Sequence, residues 1–476
     1  MNFDELTKQI LEKITPKQDE QLKVDALRRR LEQKIADACV SEGVSAIVRV
    51  EGSIAKDTWL SGNPDIDIFI RLPPSVPREK LGEVGLRIAK KAAGDAEQLE
   101  RFAEHPYLEI FVEGYRVDIV PCYDAKHGDW QSATDRTPYH TDYIKTHLGK
   151  ELTGEVRLLK QFMQGIGVYG AEIKIGGFSG YLCELLVMHF GSFKKIIEAF
   201  ADYSQRLVID IGSFYAERER ELELLFPEPL VIVDPVDQGR NVASAVQSSK
   251  LYGLIGAARE FLKMPGEDFF YPQLIHATSP VTVEDHHGSI GSSHLYVVVG
   301  ELSAVPDVLW GQLYRSKRSL SKLLEVNDFV VLRDAVWSNE KNFSVFIFEL
   351  EQNVLPNVKK HLGPPLSRRV ECDKFIAKYV ADTSVLSGPY IEQGRWVVEL
   401  PRKCIDAAAL LKEKLSDGGK NAGVAELVAD AIKTDLKVLL DNEVLRLYTE
   451  HSDFAVFLTQ FMAGKPFWLK SQTVQS

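Results

Sequence analysis

Gly52-Ser53, Asp65-Ile66-Asp67 and Asp118 follow one another along the chain, and their types and spacing suit chemistry at a phosphate. Gly52 permits a tight backbone turn and close approach to a ligand. Ser53 offers a hydroxyl and a backbone N–H at the start of a short helix, where free N–H groups and the helix dipole favour phosphate. Residues i and i+2 of a strand share one face, so Asp65 and Asp67 point the same way while Ile66 and Ile68 enter the core. Two carboxylates on one face repel unless a cation lies between them. Oxygen-only ligands suit Mg2+, which keeps several waters and draws further ligands from triphosphate oxygens. Asp118 stands among Val117, Ile119 and Val120, a costly place for an acid that is neither paired nor metal-bound. Beside the first pair it completes a site for two Mg2+ ions. One would lower the pKa of an attacking hydroxyl, and the other would hold the triphosphate and the leaving pyrophosphate.

Each element of this pattern is common by itself. Gly-Ser is frequent everywhere, and an Asp-x-Asp strand is often an exposed edge or a capping pair. The order, the spacing and the third acidic strand together carry the reading. The chain has no HExxH, no Walker A lysine loop and no GxSxG, so zinc-protease, P-loop and hydrolase-elbow chemistry lose support. His286-His287 lacks the spacing of a metal-binding helix and is expected as a solvated turn.

These groups need a scaffold. Residues 1–43 read as helical, with Thr15-Pro16 resembling an N-cap and a proline at the first helical position. A strand over 45–50, a short helix over 54–60, a turn over 61–64 and a strand over 65–70 follow. A helix is expected over 78–93, then strands over 107–112 and 115–120 joined by a tight Glu113-Gly114 turn. This mixture implies an α+β domain. The segment 130–265 reads as helical, most clearly over 151–165 and 178–200. Beyond 270, strands are expected over 293–300, 328–336, 343–350 and 394–400, with charged helices between them and a mainly helical end over 424–461. The resulting division is a catalytic head over 1–140, a helical neck over 141–265 that binds nucleotide, and an α/β body and tail over 266–476.

Composition sets limits. The 476 residues are 45% hydrophobic and 26% charged, as in globular proteins, with no apolar run of about 18 residues that would span a membrane. The N-terminus lacks the blocks of a signal peptide. Five scattered cysteines and no CxxC argue against disulfides or a cysteine zinc site and for a cytoplasmic protein. The net charge of −11 speaks against a protein that simply coats nucleic acid, but allows an enzyme with a local basic strip.

Gly-Ser followed by Asp-x-Asp resembles the DNA polymerase β-like nucleotidyltransferases. Residues 52–60 (GSIAKDTWL) with 65–67 (DID) are similar, more narrowly, to the archaeal, class I CCA-adding enzymes. The likeness continues through 117–123 (VDIVPCY), 135–141 (DRTPYHT), 159–162 (LKQF), 165–172 (GIGVYGAE) and 176–182 (GGFSGYL). It extends to Asp234-Pro235-Val236-Asp237 with Arg240-Asn241-Val242, and to residues 388–396. The resemblance implies a multidomain α+β protein with a polymerase β-like head, a helical middle domain and α/β C-terminal RNA-binding domains. It implies addition of C, C and A to the 3′ end of tRNA from CTP and ATP, with Mg2+ and no nucleic-acid template. Asp65, Asp67 and Asp118 would be the catalytic metal carboxylates. Gly52, Ser53, Lys56, His140, Lys160 and Tyr169 would contact the nucleotide, and Arg240 would help read its base. Asp234 and Asp237 are expected as helix caps, and Asp237 as a salt-bridge partner open to Arg240. Asp57 departs from the pattern, as an extra acid beside the phosphate loop that either caps the short helix or weakens triphosphate binding.

Basic clusters at Arg315, Lys317, Arg318 and Lys322, and at Lys359, Lys360, Arg368 and Arg369, are candidates to track the phosphates of the tRNA acceptor arm, with solvated charged faces as the alternative. Gly363-Pro364-Pro365 reads as a rigid turn, and Trp396 as a core residue. A homodimer is compatible with the family, though no residue encodes it. Two other readings remain open: a poly(A) polymerase or oligoadenylate synthetase with the same carboxylate triad, and a non-catalytic RNA-binding protein.

Overall fold

A computed structural model describes residues 2–62, 64–102 and 104–469; Asn63, in the turn expected at 61–64, lies outside them. Helices α1 (Phe3–Ile14) and α2 (Gln18–Ser41) open the chain. Thr15 closes α1 instead of opening α2: its N–H and Oγ1 both donate to the Leu11 carbonyl. β1 (Ile47–Glu51) leads into a single turn of helix, α3 (Gly52–Ala55), shorter and earlier than the helix expected over 54–60. Thr58 N–H donates back to the Ser53 carbonyl and ends it.

Strands β2 (Asp65–Leu72), β3 (Glu97–Phe102), β4 (Pro106–Val112) and β5 (Tyr115–Tyr123) join β1 in a five-stranded sheet of order β1-β2-β5-β4-β3. β2 and β5 run parallel, and every other neighbouring pair is antiparallel. Glu113 and Gly114 turn β4 into β5 with φ of 55° and 82°, as a tight hairpin requires. β3, too charged to show an apolar alternation, was not expected. One face of the sheet, carrying Ile66, Ile68, Val117, Ile119, Leu108 and Ile110, is sealed against α2 and α4 (Arg78–Ala93). The alternation that buries these residues turns the acidic ones to the opposite face.

The helical region contains α5 (Thr137–His147), α6 (Thr153–Gly165), α7 (Gly180–Phe190), α8 (Phe193–Ala201), α9 (Glu219–Leu225) and α10 (Ser248–Lys263). The single helix expected over 178–200 breaks into α7 and α8 because Gly191 takes the left-handed conformation, φ 81°. The region is not all helix: β6 (Leu207–Asp210) and β7 (Leu230–Val233) form a short parallel pair. Leu6, Ile10 and Ile14 of α1 belong to the same core as Phe162, Leu186, Phe193 and Phe261.

The described residues fall into two compact units. The first runs to Leu274 and resumes at Lys465, and the second covers Ile275–Gly464. In the second unit, α11 (Pro280–Ile290), β8 (Ser293–Val299), α12 (Pro306–Val326), β9 (Val331–Ser338) and β10 (Ser344–Leu350) are followed by β11 (Val358–Pro365), α13 (Arg369–Tyr379), β12 (Ser387–Glu392) and β13 (Arg395–Pro401). Then come α14 (Ala407–Leu415), α15 (Glu426–Thr434), β14 (Leu436–Leu440), α16 (Leu445–Glu450) and α17 (Ser452–Ala463). The sheets are β14-β8-β10-β9 and β11-β13-β12. β14 interrupts the helical end expected over 424–461. Gly363-Pro364-Pro365 ends β11 instead of making a free turn, and β11 bulges there opposite β13. Pro364 and Pro365 are tolerated because β11 is an edge strand. Trp396 packs against the Phe375–Tyr379–Val398 cluster, as a core residue should. His286-His287 is helical, not a turn: it lies on α11, with His287 buried between Asn442 and Tyr296.

No helix among the described residues is long and apolar enough to cross a membrane.

Candidate active site

Strand register brings the acids together. Asp67 pairs with Asp118 across the parallel β2/β5 junction, Glu51 pairs with Asp67 from β1, and Glu109 pairs with Asp118 from β4. Four acidic side chains therefore stand in one row on one face, with Asp65 one step along β2. Gly52, at φ 68°, crosses directly over this row. A Cβ there would lie 2.0 Å from Asp67 Oδ2, so only glycine leaves that carboxylate its place.

The row is electrostatically strained. Burial, reinforced by Asp118 and Asp65, pushes the Asp67 carboxyl up to about 7. Burial, opposed by Arg116 and reinforced by Glu109, raises Asp118 to about 6. Burial also raises Asp65, with Arg116 opposing. Asp118 Oδ1 is buried without a hydrogen-bond partner. Arg116 supplies the counter-charge: its Nε lies 3.3 Å from Asp65 Oδ1 and its Nη2 3.4 Å from Asp118 Oδ2. Among the described residues no three metal-capable side chains already stand at coordinating distance. The donor set nevertheless fits a hard divalent cation, being all carboxylate oxygen, penalised when charged, and including one orphaned buried atom.

A cavity of about 150 Å3 beside Asp65 is lined by Ser53, Trp59, Lys160, Gln164 and Tyr169, among others. Lys160, on α6, is buried. It donates to the Thr58 carbonyl at 3.0 Å and to Thr58 Oγ1 at 3.1 Å. Lys56 donates to Glu184 Oε2 at 2.6 Å, and Thr58 Oγ1 donates to Glu184 Oε1 at 2.6 Å.

A second hub lies at Asp234, wholly buried after β7. It accepts from His140 Nε2 at 2.9 Å, Arg240 Nη1 at 2.7 Å, Tyr181 OH at 3.1 Å and the Val236 N–H at 2.9 Å. Burial would raise its pKa, but His140, the Val236 amide and Arg240 hold it down at about 2. Burial keeps the His140 imidazole below its ordinary value, so the neutral ring must carry its proton on Nε2 to make this bond. Tyr181 joins the two hubs, stacking on His140 at 4.1 Å and lying 5.8 Å beneath Lys56 Nζ.

The expected catalytic and nucleotide-binding residues thus all lie in the first unit. Ser53, Asp65, Lys160 and Tyr169 share the cavity, Gly52, Asp67 and Asp118 share the acidic row, Lys56 joins Lys160, and His140 joins Arg240. Three expectations change. Arg240 pairs with Asp234, and Asp237 pairs with Arg136 at 2.7 Å. Asp234 does not cap a helix; it is a buried acceptor of four hydrogen bonds. Asp57 makes no side-chain cap, because Arg157 Nη2 holds its carboxylate at 2.5 Å and Arg157 also donates to the Asp57 and Trp59 carbonyls. Sequence reasoning missed Glu109, Glu184, Arg116 and Tyr181. Glu109 in Leu108-Glu109-Ile110 and Glu184 in Cys183-Glu184-Leu185 carry the same signal that picked out Asp118, an acid inside an apolar run.

In the second unit the basic clusters are mixed. Arg315, Arg318 and Lys322 line a groove on α12, whereas Lys317 is bonded to Asp334. Lys359 pairs with Asp328 at 3.0 Å and Lys360 with Glu392 at 2.8 Å, so the two lysines of the second cluster are neutralised.

Three family models match the chain in sequence. A nucleotidyltransferase domain matches residues 32–140, the second domain of tRNA nucleotidyltransferase 154–271, and the C-terminal domain of CCA-adding enzyme 291–441. The CCA-adding enzyme of Methanosarcina acetivorans is 39% identical over 463 residues, 96% of this chain and 98% of that protein. That of Methanosarcina barkeri is also 39% identical, over 96% and 98%. That of Halobacterium salinarum is 36% identical over 88% and 91%. With its acidic row, lysine cavity and end-to-end likeness to these relatives, the chain belongs to the CCA-adding enzymes, a family of nucleotidyltransferases.

Proposed function

We propose that this protein adds C, C and A to the 3′ end of tRNA from CTP and ATP, with Asp65, Asp67 and Asp118 as the ligands of two Mg2+ ions. The observation that carries this reading is the register of β2 against β5, which sets Asp67 beside Asp118 and leaves a buried Asp118 oxygen without a partner. When bound, the two ions supply a lowered pKa for the 3′-hydroxyl and counter-charge for the triphosphate and pyrophosphate. The tRNA 3′-hydroxyl gives up its proton to solvent, its oxygen forms a bond to the α-phosphorus, the bond from that phosphorus to the bridging oxygen breaks, and pyrophosphate leaves with the bonding electron pair. Arg116 shields Asp65 and Asp118 from one another. Gly52 keeps the backbone clear of Asp67.

Ser53, Lys56, Lys160 and Tyr169 bind the triphosphate and sugar. Their hydroxyls and ammonium groups are the donors that phosphate oxygens need. Asp234 holds the His140 ring and the Arg240 guanidinium in fixed orientations, and Arg240 presents its remaining donors to the incoming base. Residues 1–140 act as the catalytic head, 141–265 as the nucleotide-binding neck, and 266–476 as the body and tail that grip the acceptor arm, with the α12 basic face as the strip that contacts phosphate. The protein works in the cytoplasm, and a homodimer is its proposed assembly.

The test uses purified protein, Mg2+ and a tRNA transcript lacking its last three nucleotides, offered the four labelled nucleoside triphosphates singly and together. Two C and one A, then a stop, is the expected product. Long A tracts would replace this reading with a poly(A) polymerase, and no incorporation would leave a binding protein. Sedimentation of the same sample reports the assembly.

A further inference from the structure

Two lysines and one carboxylate form a buried cluster beside the cavity, and the carboxylate has no part in the mechanism above. Glu184 has no exposed surface. Its two oxygens accept from Lys56 and from Thr58, each at 2.6 Å, and Lys160 Nζ stands 3.6 Å from Oε1. Gly180, at the start of the same helix, makes room for the group: a Cβ there would meet Tyr169 OH at 3.1 Å and Lys160 Nζ at 3.5 Å. Two positive charges against one negative leave a surplus positive charge in a nearly water-free setting. Such a charge is costly unless the ligand is an anion.

We propose that Glu184 is a positioning residue for nucleotide binding, holding Lys56, Thr58 and Lys160 in one cluster and keeping the Lys160 ammonium charged where the polyphosphate arrives. This rests on the reading of the cavity as the triphosphate site. Burial draws the Lys160 pKa down, Glu184 opposes that fall, and Lys56 adds to it. The other titratable groups near Lys160 are Asp65, which lines the same cavity and whose carboxyl burial raises, and Cys183 and Tyr169, which stay neutral: burial pushes the Cys183 thiol up to about 12 and the Tyr169 hydroxyl well above its ordinary value. Burial would raise Glu184, but Lys56 and Lys160 keep it below its ordinary value and hence ionised. Without the Glu184 carboxylate, the Lys160 ammonium loses its main support and its pKa falls further, so anion affinity weakens more as pH rises.

The experiment measures ATP binding to the full chain by calorimetry, without RNA and with Ca2+ as the divalent ion, for wild type and Glu184→Gln. The ratio of their dissociation constants should climb about tenfold or more as pH rises from about 7 to about 9.5. The climb should vanish when Lys160→Arg is added, because a guanidinium does not titrate there. A ratio that is constant with pH reduces Glu184 to a structural role and overturns the proposal. If Glu184→Gln does not fold, Glu184→Asp carries the test, since the carboxylate drawn back from Lys160 predicts a smaller climb of the same sign and a flat ratio refutes it. Lys160→Met separates the two readings: unchanged ATP affinity there would remove the cavity as the triphosphate site, whatever Glu184 does.

Discussion

Replacing Asp67 by Asn should kill transfer and yet stabilise the metal-free protein at alkaline pH. Asp67 has a folded pKa of about 7 against an ordinary 3.8, because burial and the neighbouring Asp118 and Asp65 penalise its charge. At about 1.4 kcal/mol per unit, the full shift would cost the folded state roughly 4 kcal/mol above pH 7. Asp67 is only partly buried, and water screening cuts the figure to about 2 kcal/mol. The sign follows from the raised value: folding stability is complete below the unfolded pKa near 4 and is lost as pH rises towards 7. Asn carries no charge, so its advantage should be small near pH 4 and full near pH 8. Scanning calorimetry in EDTA reads it as a rise in Tm of about 4 °C at pH 8 for the transition that includes the head. Adding Mg2+ with ATP should reverse the ranking, since only wild type gains the cation. A Tm gain of the same size at both pH values, or no gain at pH 8, would refute the electrostatic account of the row.

Gly52→Ala should lower transfer on the order of a hundredfold, because its Cβ would stand 2.0 Å from Asp67 Oδ2, and should cost about 1–3 kcal/mol in stability for the positive φ. Single-turnover rates and calorimetry check the two parts. Asp234→Asn should cost about 2 kcal/mol at pH 7. The wild-type carboxylate, at about 2, contributes stability above the unfolded pKa and loses it as pH falls through the folded value, so the two proteins should converge towards pH 2 in acid titrations followed by circular dichroism. Arg240→Ala should relax the preference for CTP and ATP over UTP and GTP, read as ratios of kcat/KM, more than it weakens tRNA binding; unchanged ratios would remove Arg240 from base reading.

The acidic core of the site was legible in the chain because strands impose a two-residue period. Asp65-Ile66-Asp67 and Val117-Asp118-Ile119 can bury their aliphatic residues only by turning the aspartates to the other face. Glycine at position 52 was legible as a close approach, since no other residue tolerates it. Local periodicity could not show what lies opposite what. The pairing of Asp67 with Asp118 and the placing of Arg116 between Asp65 and Asp118 depend on the parallel register of two strands some fifty residues apart, and Glu51 and Glu109 join the row through the antiparallel neighbours β1 and β4. Glu184 is 128 residues from Lys56, and Asp234 is 94 from His140. Each sits in an apolar run that reads as core, and its partners arrive only when α7 and β7 pack against the head. The sequence by itself therefore marked the candidate acidic groups and the face of each strand they take, through side-chain alternation and the cost of burying a charge. The tertiary structure alone decided their counter-ions, and with them the protonation states on which binding and catalysis rest.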